Sequence, residues 1–177
     1  MKITGIEIED RIIYELNRGE NKILDVGGGT GRISESIKKF QNCGEIYLLD
    51  NNKEMLKEAY KRDLENIVYG FSHDMPFSNE FFDMVICVDA LHHFENPERS
   101  ILEMGRVLKP GGKLIIYDFK PESFLTKILT AFEKSLGEPG SFLSLEKLED
   151  LLNSSGFEVN IENMYSFQYF LTAVKGD

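Results

Sequence analysis

The sequence predicts an α/β fold: a doubly wound, seven-stranded sheet, mostly parallel, with an antiparallel last strand and helices on both faces. Three observations predict it. Short apolar runs alternate with segments of helical periodicity between Lys22 and Phe119. The first of these runs, "KILDVGGGTGRI" (22–33), breaks into four glycines within five residues and then resumes with helix-like spacing. The last two runs follow each other with no room for a crossover helix, so they pair antiparallel.

The elements follow in order. "KILDVG" (22–27) is a strand ending at glycine, and "GRISESIKKF" (31–40) is a helix with Ile33, Ile37 and Phe40 on one face. "EIYLLDN" (45–51) is a second strand that ends in an acid. "NKEMLKEAYKRDL" (52–64) is a helix with Met55, Leu56, Ala59, Tyr60 and Leu64 at core spacing, capped at Asn51-Asn52. "NIVYGF" (66–71) and "FFDMVICVDAL" (81–91) are strands, the latter so apolar that both its faces are expected to be buried. "NPERSILEMGRVL" (96–108) is a helix with Pro97 in its first turn and Ile101, Leu102, Met104, Val107 and Leu108 facing inward; "KPGG" (109–112) stops it. "KLIIYDF" (113–119) is the fifth strand. The amphipathic helix "ESFLTKILTAFEKSL" (122–136) is broken by "GEPGS", and "SLEKLEDLLNSSG" (144–156) is capped by Ser144. The strands "FEVNIENM" (157–164) and "SFQYFLTAVK" (166–175) close the chain.

A length of 177 residues fits one domain over 1–177, with 1–20 as a lead-in and 120–143 as an insertion over the sheet. The net charge of −10 argues against a nucleic-acid partner, which needs a basic face to displace counterions. Cys87 lies in the apolar run "MVICVDA" and reads as a small buried hydrophobe; with Cys43 the only other cysteine, no disulfide framework is expected. The first ten residues are too acidic for a signal peptide, and no apolar run approaches the roughly 18 residues of a spanning helix. The expectation is a cytoplasmic protein without a membrane span.

The glycine turn lies at the carboxyl end of the first strand, where open parallel sheets bind ligands. Its spacing is not the dinucleotide G-x-G-x-x-G: counting from Gly27 places Arg32 at the last glycine, and counting from Gly28 places Thr30 at the second. The pattern present is D-x-G-x-G-x-G, formed by Asp25, Gly27, Gly29 and Gly31. Asp50 follows 19 residues after Gly31, at the end of the second strand. "HDMPFSNEFFDMVICVDALHHF" and "EMGRVLKPGGKLIIYDF" surround the fourth and fifth strands.

In these four blocks, in their order and spacing, the chain resembles the class I S-adenosylmethionine-dependent methyltransferases over roughly residues 20–175, in particular the methyltransferase type 11 or UbiE-like small-molecule group. The resemblance implies a Rossmann-like sheet, S-adenosylmethionine as cofactor and S-adenosylhomocysteine as product. It implies that Gly27, Gly28, Gly29 and Gly31 form a floor for the carboxypropyl part of the cofactor, with Asp25 acting at its amino group directly or through water. Asp50 would accept from the ribose diol, a carboxylate being acceptor-only. Asn51 and Met55 would flank the adenine, and Asp89 and His93 would line the methionine end. Three have a plainer alternative: Asp25 as a cap for the glycine turn, Asp50 as a helix cap, Met55 as helix core. The family often carries an acid for the adenine amino group where this chain has Phe71, between Gly70 and Ser72. That role would fall to the Ser72 backbone, His73 or stacking on Phe71.

Methyl transfer from a sulfonium needs alignment and dryness, and a base only where the acceptor must lose a proton. His92 follows the fourth strand and Asp118 ends the fifth, so adjacent parallel strands bring the two together. Some family members use this pair as a base; a structural or cofactor-facing His92 is the competing reading. No metal is expected, since two adjacent histidines point apart and no third ligand is evident. The acceptor is expected to be a small molecule, apolar or aromatic, roofed by 120–143 and by residues 1–20. So short a roof leaves an open site, a site completed in a homodimer, or one suited to a large acceptor. Competing functions are a nicotinamide-dependent oxidoreductase, a catalytically silent cofactor-binding scaffold, and a protein or RNA methyltransferase.

Overall fold

The computed structural model describes residues 8–16, 22–39, 44–120, 143–164 and 167–177. Seven strands form one sheet: β1 (Lys22–Val26), β2 (Glu45–Asp50), β3 (Asn66–Tyr69), β4 (Phe82–Val88), β5 (Leu108–Phe119), β6 (Phe157–Met164) and β7 (Gln168–Lys175). Their order is β3-β2-β1-β4-β5-β7-β6. Every pairing from β3 to β5 is parallel, and β7 runs antiparallel to both of its neighbours. The order reverses between β1 and β4, which opens a crevice at their carboxyl ends.

Alternation along the strands divides the core. Ile23, Met84, Ile86, Ile115 and Phe170 point to one face, where α1 (Ile8–Glu15) and α2 (Arg32–Lys38) bury Ile12, Ile33 and Ile37 against them. Leu48 on the same face carries α3 (Lys53–Ala59) through Leu56 and Ala59. Leu24, Val26, Val85, Cys87, Leu114, Ile116 and Leu171 point to the opposite face, under α4 (Pro97–Val107) and α5 (Leu145–Ser154). Cover on both faces is why these strands read as unbroken apolar runs. Cys87 is fully buried, and burial pushes its thiol well above the ordinary range, as expected of a packing residue.

Four details differ from the sequence reading. The fourth strand stops at Val88, because Asp89 takes a left-handed φ of 50° and Leu91–His93 wind into a 3-10 turn. The fifth strand begins at Leu108, pairing with Phe82 before a register shift, so "KPGG" lies within it. The helix expected over 52–64 ends at Ala59; Met55 (43% exposed) and Tyr60 (65%) are outside the core, as is Leu102 (49%) on α4. The lead-in contains α1, which was not expected and does not roof the site where it is described. It lies on the sheet, with Arg11 paired to Glu162 and stacked over Phe170, and Lys113 Nζ donating to Glu15 O at 2.6 Å. The segment 120–143, expected to form the lid, lies outside the described residues except at Lys120 and Leu143. No helix among the described residues is long and apolar enough to cross a membrane.

Candidate active site

The glycine turn is bare because it is squeezed. Gly27 and Gly31 take φ of 71° and 77°, which L side chains rarely adopt. A Cβ on Gly27 would lie 2.6 Å from the Ala90 Cβ, and one on Gly31 would lie 2.7 Å from the Leu64 side chain. The turn is tied down by Gly27 N–H donating to Leu49 O (2.8 Å) and Gly31 N–H to Gly28 O (2.9 Å).

Gly29 differs. A Cβ there would meet nothing closer than the Gly27 carbonyl at 4.0 Å, so its side faces open space. Its N–H donates to Asp50 Oδ2 at 2.8 Å, and Asn52 N–H donates to Asp50 Oδ1 at 2.7 Å. Asp50 is thus fixed by one backbone N–H on each oxygen. A carboxylate offers about four acceptor positions, so two more donors can be served. The sequence alternative, Asp50 as the cap of α3, goes instead to Asn52, whose Oδ1 accepts from Glu54 and Met55 N–H.

Asp25 lies beneath the turn, 1% exposed, with Ser34 Oγ donating to its Oδ2 at 2.7 Å. Burial, reinforced by the charge of Asp50, raises its pKa from 3.8 to about 6, against the pull of the Ser34 hydrogen bonds.

A cavity of about 550 Å³ opens over this floor. Of the cofactor-site candidates, Gly27, Gly29, Asp50, Asn51 and Met55 line its β1–β2 side, Phe71, Ser72 and His73 line its β3 side, and Asp89 and His93 line its β4 side. Asp25, Gly28 and Gly31 do not line it; they shape the turn from below, so a direct contact from Asp25 to a cofactor amino group does not fit its burial. Sequence reasoning missed Leu49, Asn52, Gly70, Ala90, Phe94 and Glu95, which also line the cavity. Ala90 and Phe94 come against the turn only in the fold, where a Cβ at position 27 would lie 2.6 Å from the Ala90 Cβ and 3.2 Å from the Phe94 ring.

Asp89 holds its left-handed turn by donating its N–H to Tyr117 O at 2.8 Å. Its carboxyl is raised above the ordinary value, first by loss of solvent and then by the Asp118 charge. Next to it, His92 (4% exposed) and Asp118 (2%) meet as topology predicted, with Nδ1 2.5 Å from Oδ1. The carboxylate also accepts from the backbone N–H of His92 (3.1 Å) and of Phe119 (2.7 Å). An acceptor-only partner at Nδ1 places the neutral imidazole's proton there and makes Nε2 the basic atom. Neither residue lines the cavity. His93, which does line it, has its ring 4.0 Å from the His92 ring by centroids.

The methyltransferase domain model matches residues 24–116, the stretch from β1 through most of β5. The chain belongs to the methyltransferase domain family. It is 32% identical over 164 residues to the ubiquinone/menaquinone biosynthesis C-methyltransferase UbiE of Wigglesworthia glossinidia brevipalpis, an alignment covering 88% of this chain and 60% of that relative. With the same enzyme of Blochmanniella floridana it shares 39% over 117 residues, 61% of this chain and 46% of the relative. The chain thus spans about half to three-fifths of the length of the curated relatives it matches. Among solved structures, the magnesium protoporphyrin IX methyltransferase of Synechocystis PCC 6803, solved with bound SAH, superposes with a TM-score of 0.71 at 19% identity, over 96% of this chain and 82% of that one. The family model thus gives this chain a methyltransferase domain, and the superposition gives it the Rossmann-like sheet of such domains.

Proposed function

We propose that the chain moves the methyl group of S-adenosylmethionine onto a small molecule, at a ring carbon made nucleophilic by a neighbouring ionised hydroxyl. The observation that carries the cofactor side is Asp50, fixed by two backbone N–H groups at the rim of an open glycine. The acceptor class rests on the relatives named as C-methyltransferases of ubiquinone and menaquinone biosynthesis and on the buried imidazole–carboxylate pair beside the cavity. The acidic charge disfavours RNA. A single domain, a cytoplasmic location and completion of the roof in a homodimer belong to the same reading.

S-adenosylmethionine, when bound, supplies a methyl group already activated as a sulfonium. The residues of the chain then have three tasks. Asp50 accepts the ribose diol, Gly27 and Gly29 let backbone approach the amino-acid end, and Asp89 and His93 border that end. Phe94 and Ala90 close the floor against water. Asp118 holds the His92 proton on Nδ1 and makes Nε2 the basic atom; the hydroxyl proton of the acceptor passes to it from the cavity by way of the adjacent His93, the carboxylate stabilises the imidazolium, and the proton of the methylated ring carbon is released to solvent as the ring regains aromaticity.

Calorimetric titration with S-adenosylmethionine, S-adenosylhomocysteine and NADH tests the first half: micromolar binding of both sulfur nucleosides and none of NADH is expected. Transfer of a labelled methyl group to hydroquinones, with amines as controls, tests the second. Failure of both sulfur nucleosides to bind would replace the reading with a scaffold.

A further inference from the structure

The β3 side of the cavity carries two rings, Phe71 and His73, and no carboxylate among the described residues. After Tyr69 the chain turns at Gly70 and closes a bridge between Phe71 and Asp74. Phe71 is 39% exposed; its ring meets Tyr69 edge-on at 6.2 Å and His73 at 5.5 Å between centroids. The first turn of α4 clamps this wall. Ser72 Oγ lies 2.8 Å from Ser100 Oγ, which also donates to Asn96 O, and Arg99 Nε donates to His73 O at 3.0 Å. The Phe71 carbonyl accepts from Asp74 N–H at 3.1 Å. These polar atoms of 71–73 are engaged with protein, and the Phe71 ring and the His73 imidazole line the cavity.

The inference rests on the cofactor reading above. With a ribose on Asp50 at the end of β2, and the amino-acid end over the turn between β1 and β4, the nucleobase extends the other way, toward β3. A carboxylate on that wall would accept from a 6-amino group and repel a 6-oxo group. Phe71 does neither. The amide of Asn51 and the imidazole of His73 each offer a donor and an acceptor, so either purine satisfies them. The acids Asp89 and Glu95, which also line the cavity, follow β4 on the opposite side of the turn.

We propose that Phe71 selects the nucleobase by stacking and leaves its 6-position unread, so that this methyltransferase binds 6-oxopurine sulfur nucleosides as well as 6-aminopurine ones. Calorimetry on the full chain with S-adenosylhomocysteine and S-inosylhomocysteine tests it, circular dichroism verifying the fold of each variant. In the unaltered chain the two affinities should agree within about threefold. Phe71→Ala should weaken both about tenfold, the usual effect of losing one base–aromatic stack. Phe71→Asp should open a gap of roughly thirtyfold or more in favour of the amino compound, since a site built to hydrogen-bond one group rejects the analogue lacking it. A preference above about tenfold in the unaltered chain overturns the inference, as does an unchanged affinity in Phe71→Ala or a gap that stays closed in Phe71→Asp. Absence of binding by S-adenosylhomocysteine itself would instead overturn the cofactor reading, and this inference with it.

Discussion

The two halves of the carboxyl edge are made of different material. On the β1–β2 side the site is backbone: glycines, their N–H groups, and one acid held by two of them. On the β4–β5 side it is side chain: an imidazole and a carboxylate 26 residues apart, both buried. Backbone geometry is written locally, in a contiguous string whose residue types and φ angles belong together. The side-chain pair exists only because β4 and β5 lie in parallel register, with Val88 opposite Tyr117, so that the residues just beyond them converge. In the function proposed above the first half binds and the second reacts, so they should fail in different ways when altered.

The largest effect is expected from separating those failures. Asp50→Ala removes both acceptors offered to the ribose diol, each worth about 1.5–3 kcal/mol as a charge-assisted bond. Affinity for S-adenosylhomocysteine should fall at least about 100-fold, measured by calorimetry, with the fold retained by circular dichroism. Asp118→Asn should do the reverse: unchanged cofactor affinity and turnover reduced about 10²–10⁴-fold, the range of a lost general base. If Asp118→Asn weakened the cofactor and Asp50→Ala only slowed turnover, the division into binding and reacting halves would be wrong.

The same division explains what could be read without coordinates. The central strands were legible because cover on both faces writes each as an apolar run; the edge strand β6, exposed at Glu158, Asn160 and Asn163, was legible instead from its closeness to β7. The glycine turn and Asp50 were legible for the local reason just given, and His92–Asp118 because parallel order follows from alternation. Helix faces were less so: Leu102, Met55 and Tyr60 have core spacing but are exposed, beside the buried Ile101, Leu56 and Ala59, so that spacing alone does not mark where the buried face ends. The helix α1 had a signal, Ile8, Ile12 and Leu16 at intervals of four, masked by the acids between them. For Asp25 the sequence left two readings, cofactor amino group or glycine turn, because the burial that separates them arises only when the turn folds over it.

That burial gives the next effect. A carboxyl whose folded pKa lies above its unfolded value binds its proton more tightly in the folded chain. For Asp25, raised from 3.8 to about 6 chiefly by burial, the stability held below about pH 4 is lost as pH rises to about 6. The loss is on the order of 3 kcal/mol at ~1.36 kcal/mol per unit. Urea unfolding of Asp25→Asn should lack this component, so the variant gains on the unaltered chain between pH 4 and 7. Parallel pH profiles for the two would show that Asp25 does not titrate beneath the turn.

The smallest effect sharpens the claim that the binding half is backbone. Asn52 lines the cavity, but its side chain is spent on the α3 N-terminus, accepting from Glu54 N–H at 3.0 Å and Met55 N–H at 3.2 Å. Its own N–H is one of the two that hold Asp50. Asn52→Ala should cost about 1 kcal/mol of stability, as loss of an N-cap does, and should loosen cofactor binding only a few-fold by freeing that N–H. Asn52→Ser keeps a capping oxygen while shortening the side chain, so it should restore both. Had Asn52 met the cofactor with its amide, serine would recover stability and leave affinity low; recovery of the two together identifies the helix cap as what keeps the backbone, and through it Asp50, in place.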